Sequence, residues 1–229
     1  TTQELTVTVA DKYVTLSNGK LVSQKKNADG THTDYWKMEL PHSPYLFFIG
    51  IGDYAIIKDL YKGKEVSYYV EKEYAGVAKK IFGNTPEMIA FFEKITGVSY
   101  PWSKYAQMTA RDYVSGAMEN TTATLHQESA QQDSRELLDG NAWESTIAHE
   151  LFHHWFGDYV TAKSWSNLTV NESFANFSQV LWNEYKYGKD AGDAENYKNM
   201  QQYLSSPEDA KKPLVRFHYK DKEDMFDVV

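Results

Sequence analysis

The stretch HELFHHWFGDYVT, residues 149–161, carries three histidines and two acids and decides which fold we expect. His149 and His153 are four residues apart, so on a helix they lie on one face, where both imidazoles can reach one ion. His154 lies ~140° around the helix from His149 and is predicted to take no part. Glu150 lies ~100° from His149, an offset that suits a group that contacts a water on the ion without ligating the ion.

A metal site is one of two interpretations of this helix, which is predicted over 141–156 with Gly157 ending it. The other is structural: two histidines hydrogen-bonded to neighbours, with Glu150 in solvent. A catalytic zinc needs a third protein ligand, and it keeps a fourth position open for water. Glu172, in the stretch NESFA (171–175), can supply that ligand, because residues 154–171 are enough to set a second helix beside the first. This second helix is predicted over 169–187, with Gly188 ending it.

Three motifs follow one another in the order GAMEN (116–120), HELFHHWFGDYVT and NESFA. In order and spacing they resemble the gluzincin aminopeptidases of the M1 family. The earlier stretches SNGKL (17–21) and YLFFIGIGDY (45–54) are similar to the end of that family's N-terminal β domain. The resemblance covers nearly the whole chain but only the middle of a family member. Thr1 stands directly before a predicted strand without an initiator Met, so we expect a fragment of a longer protein.

The resemblance implies one zinc ion per chain, bound by His149, His153 and Glu172, with Glu150 as the general base. Zinc would lower the pKa of its water towards 7, and Glu150 would pass the water's proton to the departing amine. The family's oxyanion-binding tyrosine is expected beyond Val229, so the chain by itself is expected to have little activity. The GAMEN motif is implied to bind substrate, with the backbone near Gly116 and Ala117 lining it and Glu119 taking the free α-ammonium. The substrate-binding residues are Gly116, Ala117, Met118, Glu119 and Asn120.

The predicted fold class is α+β, truncated at both ends. Alternating polar and apolar residues near the start predict strands, and residues 1–53 are predicted to be the C-terminal part of a β domain. Residues 54–229 are predicted to be the first part of a zinc-peptidase catalytic domain, a thermolysin-like mixed α/β subdomain. Within this scheme we expect one buried strand over 45–57. We also expect a helix with Thr85 as its N-cap and Gly97 as its end.

Composition narrows the function classes. The chain has 229 residues, a formal net charge of −8 and no cysteine. Cysteine ligands are therefore excluded, and the charge argues against nucleic acid as the main partner. The longest apolar run, 45–51, is far shorter than the ~20 residues needed to cross a bilayer. Composition favours neither the cytoplasm nor export, and no oligomeric state follows from it.

The predicted function is removal of N-terminal residues from peptides that carry a free amino terminus. Two alternatives stay open: a zinc hydrolase of another specificity, such as an endopeptidase or an epoxide hydrolase, and a non-catalytic scaffold of the same fold. Glu119 argues against a simple endopeptidase, because an internal amide has no ammonium group to bind it. Glu150 argues against a scaffold, which has no need of a general base.

Overall fold

The computed structural model describes residues 1–208, 211–221 and 224–226. The chain forms two compact units, Thr1–Ile147 and Ala148–Val229, and each is described by itself. The first unit holds ten strands and two helices with these bounds: β1 Gln3–Ala10, β2 Val14–Ser17, β3 Lys20–Lys26, β4 Thr31–Met38, β5 Ile49–Gly52, β6 Tyr54–Tyr61, β7 Lys64–Glu71, α1 Ala78–Phe82, α2 Thr85–Thr96, β8 Tyr105–Ala110, β9 Ala117–Met118 and β10 Ala123–Gln127.

The strands of the first unit form three sheets, ordered β1-β4-β3, β2-β5 and β6-β7-β8-β10-β9. In the third sheet, β8 runs parallel to both β7 and β10, while the β6–β7 and β9–β10 pairs are antiparallel. Strand β4 alternates half-buried and buried residues, and its buried face carries the polar His32 and Asp34 as well as Trp36 and Met38. A buried apolar cluster joins the sheets, formed by Leu16, Trp36, Tyr69, Ala106, Met108 and Ala123. The chain therefore mixes sheets and helices, as an α+β class requires.

The prediction of one buried strand over 45–57 is wrong. This stretch divides into a 3-10 turn at Pro44–Leu46 and the two strands β5 and β6, which belong to different sheets. Ile49 and Ile51 are half exposed, while Gly50 is buried. A Cβ on Gly50 would come 2.3 Å from the sulfur of Met108. The glycine face of β5 therefore turns inward because side chains of the core already occupy the space beside it.

Helix α2 confirms the predicted end at Gly97, which adopts the left-handed conformation with φ 70°. Thr85 as the N-cap is wrong, since Asn84 occupies that position and Thr85 is the first helical residue. The Thr85 hydroxyl donates to the carbonyl of Phe82 at 2.6 Å and accepts from Gln107 Nε2 at 2.9 Å. The Thr85 hydroxyl is therefore engaged in hydrogen bonds within the core and does not cap the helix.

The second unit is helical and includes the end of α3 (Glu144–Phe152), then α4 (Thr169–Tyr187) and α5 (Lys189–Leu204). Helix α4 has the bounds that the sequence predicts, and Gly188 follows it with φ 95°. Helix α3 ends four residues earlier than predicted, because the chain turns after Phe152 and forms a bridge between Phe156 and Val160. Within the described part of the chain, no helix is long and apolar enough to cross a membrane.

Candidate metal centre

His149, His153 and Glu172 lie together in the second unit. His149 stands in the last turn of α3, and His153 follows the helix with its N–H still donating to the carbonyl of His149 at 3.2 Å. Glu172 lies in the first turn of α4. The two Nε2 atoms are 3.0 Å apart. Glu172 Oε2 lies 3.4 Å from Nε2 of His149 and 3.5 Å from Nε2 of His153.

This triangle fits the donor set of a zinc ion. Tetrahedral ligands at the usual zinc distances are separated by about 3.4 Å, close to all three edges of the triangle. The ring of His153 is also oriented for ligation, because its Nδ1 donates to the carbonyl of Phe156 at 2.9 Å and leaves the lone pair on Nε2. The side chains of His149 and Glu172 are each 14% exposed. These two side chains are therefore mostly buried but keep some contact with solvent, while His153 is fully buried.

Charge complementarity keeps the Glu172 carboxyl ionised. Burial by itself raises the pKa of this group. The charge of His153, together with hydrogen bonds and charge from His149, outweighs burial and holds the pKa well below its usual range. An ionised carboxylate beside two imidazoles is a nitrogen and oxygen donor set that suits a divalent transition metal such as zinc.

Residues of the turn after α3 contact His153. Gly157 has φ 138°, and a Cβ there would come 3.0 Å from Nδ1 of His153. The N–H of Asp158 donates to the carbonyl of His153 at 2.9 Å. His154 points elsewhere: it is buried, with Nε2 3.6 Å from Oδ2 of Asp158. Glu150 is buried in the last full turn of α3.

The GAMEN residues lie in the first unit. Ala117 and Met118 form β9, the edge strand of the five-stranded sheet, and pair with His126 and Leu125 of β10. The carbonyl of Gly116 accepts the N–H of Gln127 at 2.9 Å.

The last two GAMEN residues are buried and are held by residues 45–47, which form the end of the 3-10 turn and the position directly after it. Tyr45 donates its hydroxyl to Glu119 Oε1 at 3.4 Å. Asn120 Nδ2 lies 3.4 Å from the carbonyls of Leu46 and Phe47.

The turn after GAMEN depends on contacts that sequence reasoning missed. Thr122 has a left-handed backbone with φ 67°, an uncommon conformation for a β-branched residue. Its hydroxyl accepts from Gly19 N at 2.8 Å and from Lys104 Nζ at 3.2 Å. Lys104 also donates to the carbonyls of Thr122 and Ser17, at 2.8 and 3.1 Å, and burial lowers its pKa to about 7. In the sequence, the signal for this contact was a single lysine directly before the buried strand β8.

A second missed residue is Gln179, seven positions after Glu172 and therefore on the same side of α4. Its Nε2 lies 3.1 Å from Nδ1 of His149. The spacing of two helical turns from a ligand was the signal in the sequence.

Comparison with known proteins identifies the class. Residues 81–229 match the model of the Peptidase family M1 domain, and the chain belongs to that family. It is 31% identical over 174 residues to "Endoplasmic reticulum aminopeptidase 1" of Homo sapiens, covering 74% of this chain and 18% of the relative. It is 37% identical over 138 residues to "Tricorn protease-interacting factor F2" of Thermoplasma volcanium, covering 59% and 17%. It is 34% identical over 180 residues to "Probable aminopeptidase 1" of Sulfurisphaera tokodaii, covering 76% and 22%. The chain spans about a fifth of the length of these relatives.

Proposed function

We propose that this chain is the zinc-binding part of a metallo-aminopeptidase, which releases N-terminal residues from peptides. The observation that carries the proposal is the triangle formed by His149, His153 and Glu172, with edges of 3.0, 3.4 and 3.5 Å. These three residues would hold one zinc ion. Membership of the M1 family and the aminopeptidase names of two of the relatives support the same activity.

Bound zinc would supply Lewis-acid chemistry, polarising the scissile carbonyl and acidifying the attacking water. Glu150 is proposed to accept the proton of that water and to deliver it to the leaving amine. Its position next to His149 in the chain, on a neighbouring face of α3, supports a role close to the ion without ligation.

Glu119 is proposed to bind the α-ammonium of the substrate, because a buried carboxylate rewards that charge and penalises an uncharged amide. The other GAMEN residues, Gly116, Ala117, Met118 and Asn120, are proposed to line the substrate. The edge position of β9 supports this role, since an edge strand can pair with an extended peptide backbone.

The proposed organisation places the end of a β domain at residues 1–53 and the start of a thermolysin-like catalytic domain at 54–229. Sheet membership supports this boundary: β1 to β5 form two sheets among themselves, and β6 begins the third. The substrate carrying a free amine is the proposed partner, and zinc is the proposed cofactor.

The test compares amino-acid anilides with free and with acetylated α-amines as substrates of the full-length protein. We expect cleavage of the free-amine substrates alone, and loss of the zinc together with the activity in His149→Ala. Equal cleavage of both substrates would contradict the proposed binding of the α-ammonium by Glu119 and would favour an endopeptidase. If the purified wild-type protein contains no zinc, the proposed metal site is wrong.

A further inference from the structure

The GAMEN motif continues into a tight turn, residues 120–123, that leads to β10. The N–H of Ala123 donates to the carbonyl of Asn120 at 2.8 Å and closes this turn. Thr122, its third residue, has φ 67°, a value that type II turns require and that glycine usually supplies. A β-branched residue keeps this conformation only when neighbouring groups hold it. The turn begins one residue after Glu119, so the groups that hold the turn also limit where the Glu119 carboxylate can lie.

The side chain of Lys104 is one of these neighbouring groups. Its Nζ lies 2.8 Å from the carbonyl oxygen of Thr122, 3.2 Å from the Thr122 hydroxyl and 3.1 Å from the carbonyl oxygen of Ser17. An ammonium group has three N–H bonds, one for each of these three acceptors. A neutral amine has two, so loss of the proton leaves one acceptor without its donor. Because Lys104 is buried, bulk water does not replace that donor.

Trp36 of β4 and Glu65 of β7 also act on Lys104. Its Nζ lies 5.5 Å from the centroid of the Trp36 ring, and this cation–π contact favours the ammonium form. Burial lowers the pKa of Lys104 to about 7, and the charge of Glu65 opposes that shift. Lys104 therefore changes its protonation state near neutral pH, and the full set of hydrogen bonds to the turn is present only in the ammonium form.

Asn18 provides a second anchor for the same turn. Its Nδ2 donates to the carbonyl of Thr121 at 2.7 Å and to the carbonyl of Leu46 at 3.0 Å. The next residue, Gly19, donates its N–H to the Thr122 hydroxyl at 2.8 Å. Two consecutive residues between β2 and β3 therefore hold the two residues that directly follow GAMEN.

We propose that Lys104 and Asn18 are positioning residues for the proposed substrate site, which fix the turn after GAMEN and so hold Glu119 where it binds the α-ammonium. The inference rests on the proposed aminopeptidase function. Neither residue is assigned a contact with the substrate. Asn18 belongs to the proposed β domain, so that domain takes part in substrate binding. Loss of either anchor is expected to weaken substrate binding more than it slows the chemical step.

The first experiment measures KM and kcat of the full-length protein at pH 6.5 with a free-amine amino-acid anilide. Lys104→Met keeps an apolar side chain of similar length and removes the donors, so we expect KM to rise by about 10- to 100-fold. The value of kcat is expected to stay within about 3-fold of the wild type. Lys64→Met is the matched control and should leave KM unchanged. Lys64 Nζ also donates to two carbonyls, at 2.7 and 2.6 Å, but these belong to Tyr100 and Trp102 rather than to the turn.

A pH series separates the charge of Lys104 from its bulk. The ratio of KM in Lys104→Met to KM in the wild type should fall as the pH rises from about 6 to 9, because the wild type then loses its own ammonium group. Ionisation of the substrate amine affects both proteins alike and cancels from this ratio. A ratio that stays constant would show that the lysine acts only through its bulk, and the inference would be wrong.

Asn18→Asp keeps the shape of the side chain but removes the donor to the carbonyl of Thr121, so we expect KM to rise by about 10-fold. This variant decides the matter if Lys104→Met does not fold. Wild-type KM in Asn18→Asp or in Lys104→Met, or an equal rise in Lys64→Met, would overturn the inference. Failure of the proposed function looks different, because the wild type would then cleave no free-amine anilide or would cleave acetylated anilides equally well.

Discussion

Gly157 lies against the ring of His153, so close that a single added carbon would come 3.0 Å from Nδ1. The same nitrogen donates to the carbonyl of Phe156 at 2.9 Å. The turn that follows α3 therefore sets the orientation of one proposed ligand. Gly157 has a φ of 138°, a backbone conformation that residues with a Cβ rarely adopt.

Gly157→Ala is expected to displace the His153 ring and to weaken zinc binding by about 10-fold or more. The strained backbone is also expected to lower the free energy of unfolding by about 1–3 kcal/mol. Gly76→Ala is the control, since Gly76 has open space around it and no positive φ. Chelator competition and urea denaturation measure the two effects. Unchanged zinc affinity in Gly157→Ala would show that this contact does not orient the ligand.

Glu150→Gln is expected to separate metal binding from catalysis. The amide has nearly the shape of the carboxylate but cannot act as a base, so we expect a rate loss of about 10²- to 10⁴-fold. Zinc content should stay at the wild-type level, because Glu150 is not a proposed ligand. Glu184→Gln, on the exposed side of α4, should change neither quantity. Loss of zinc in Glu150→Gln would contradict the proposed division of roles.

His126 is expected to make the first unit acid-sensitive. Trp143 Nε1 donates to its Nδ1 at 3.1 Å, and Nε2 donates to Gln107 Oε1 at 2.9 Å. The neutral ring is therefore held from both sides, and burial lowers the pKa of His126 to about 3. Between pH 6.5 and 3 the unfolded chain binds a proton at this ring that the folded chain does not. The free energy of unfolding should consequently fall as pH falls through this window.

Denaturation in urea from pH 7.5 to 4 measures this dependence. His126→Gln cannot titrate, so its stability should vary less steeply with pH, although its absolute stability should be lower. His218→Gln is the control, because His218 is exposed. A slope in His126→Gln equal to that of the wild type would assign the acid sensitivity to other groups.

The hydroxyl of Thr122 is expected to stabilise the turn that follows GAMEN. Thr122→Val keeps the shape but removes an acceptor from the buried Lys104, so we expect a loss of about 1–3 kcal/mol in the free energy of unfolding. Thr122→Ser keeps the hydroxyl and should retain most of that stability. The control Thr8→Val removes a hydroxyl from an exposed pair and should change stability by less than about 0.5 kcal/mol. Equal losses in the valine and serine variants would rule out the hydroxyl as the cause.

The sequence by itself determined what depends on short spacing. The four-residue interval predicted which histidine lies with His149, and helical periodicity with a terminal glycine predicted the extent of α4. These features follow from local geometry, which repeats every few residues whatever the rest of the chain does.

Only the tertiary structure decided what depends on neighbours far along the chain. Gly50 turns inward because of Met108, and the Thr122 turn is held by Gly19, which is 103 residues away. Gln179 reaches His149 across 30 residues and two helices. No periodic pattern marks such contacts, because they form only when separate elements pack and each buried polar group must find whatever partner that packing brings within reach.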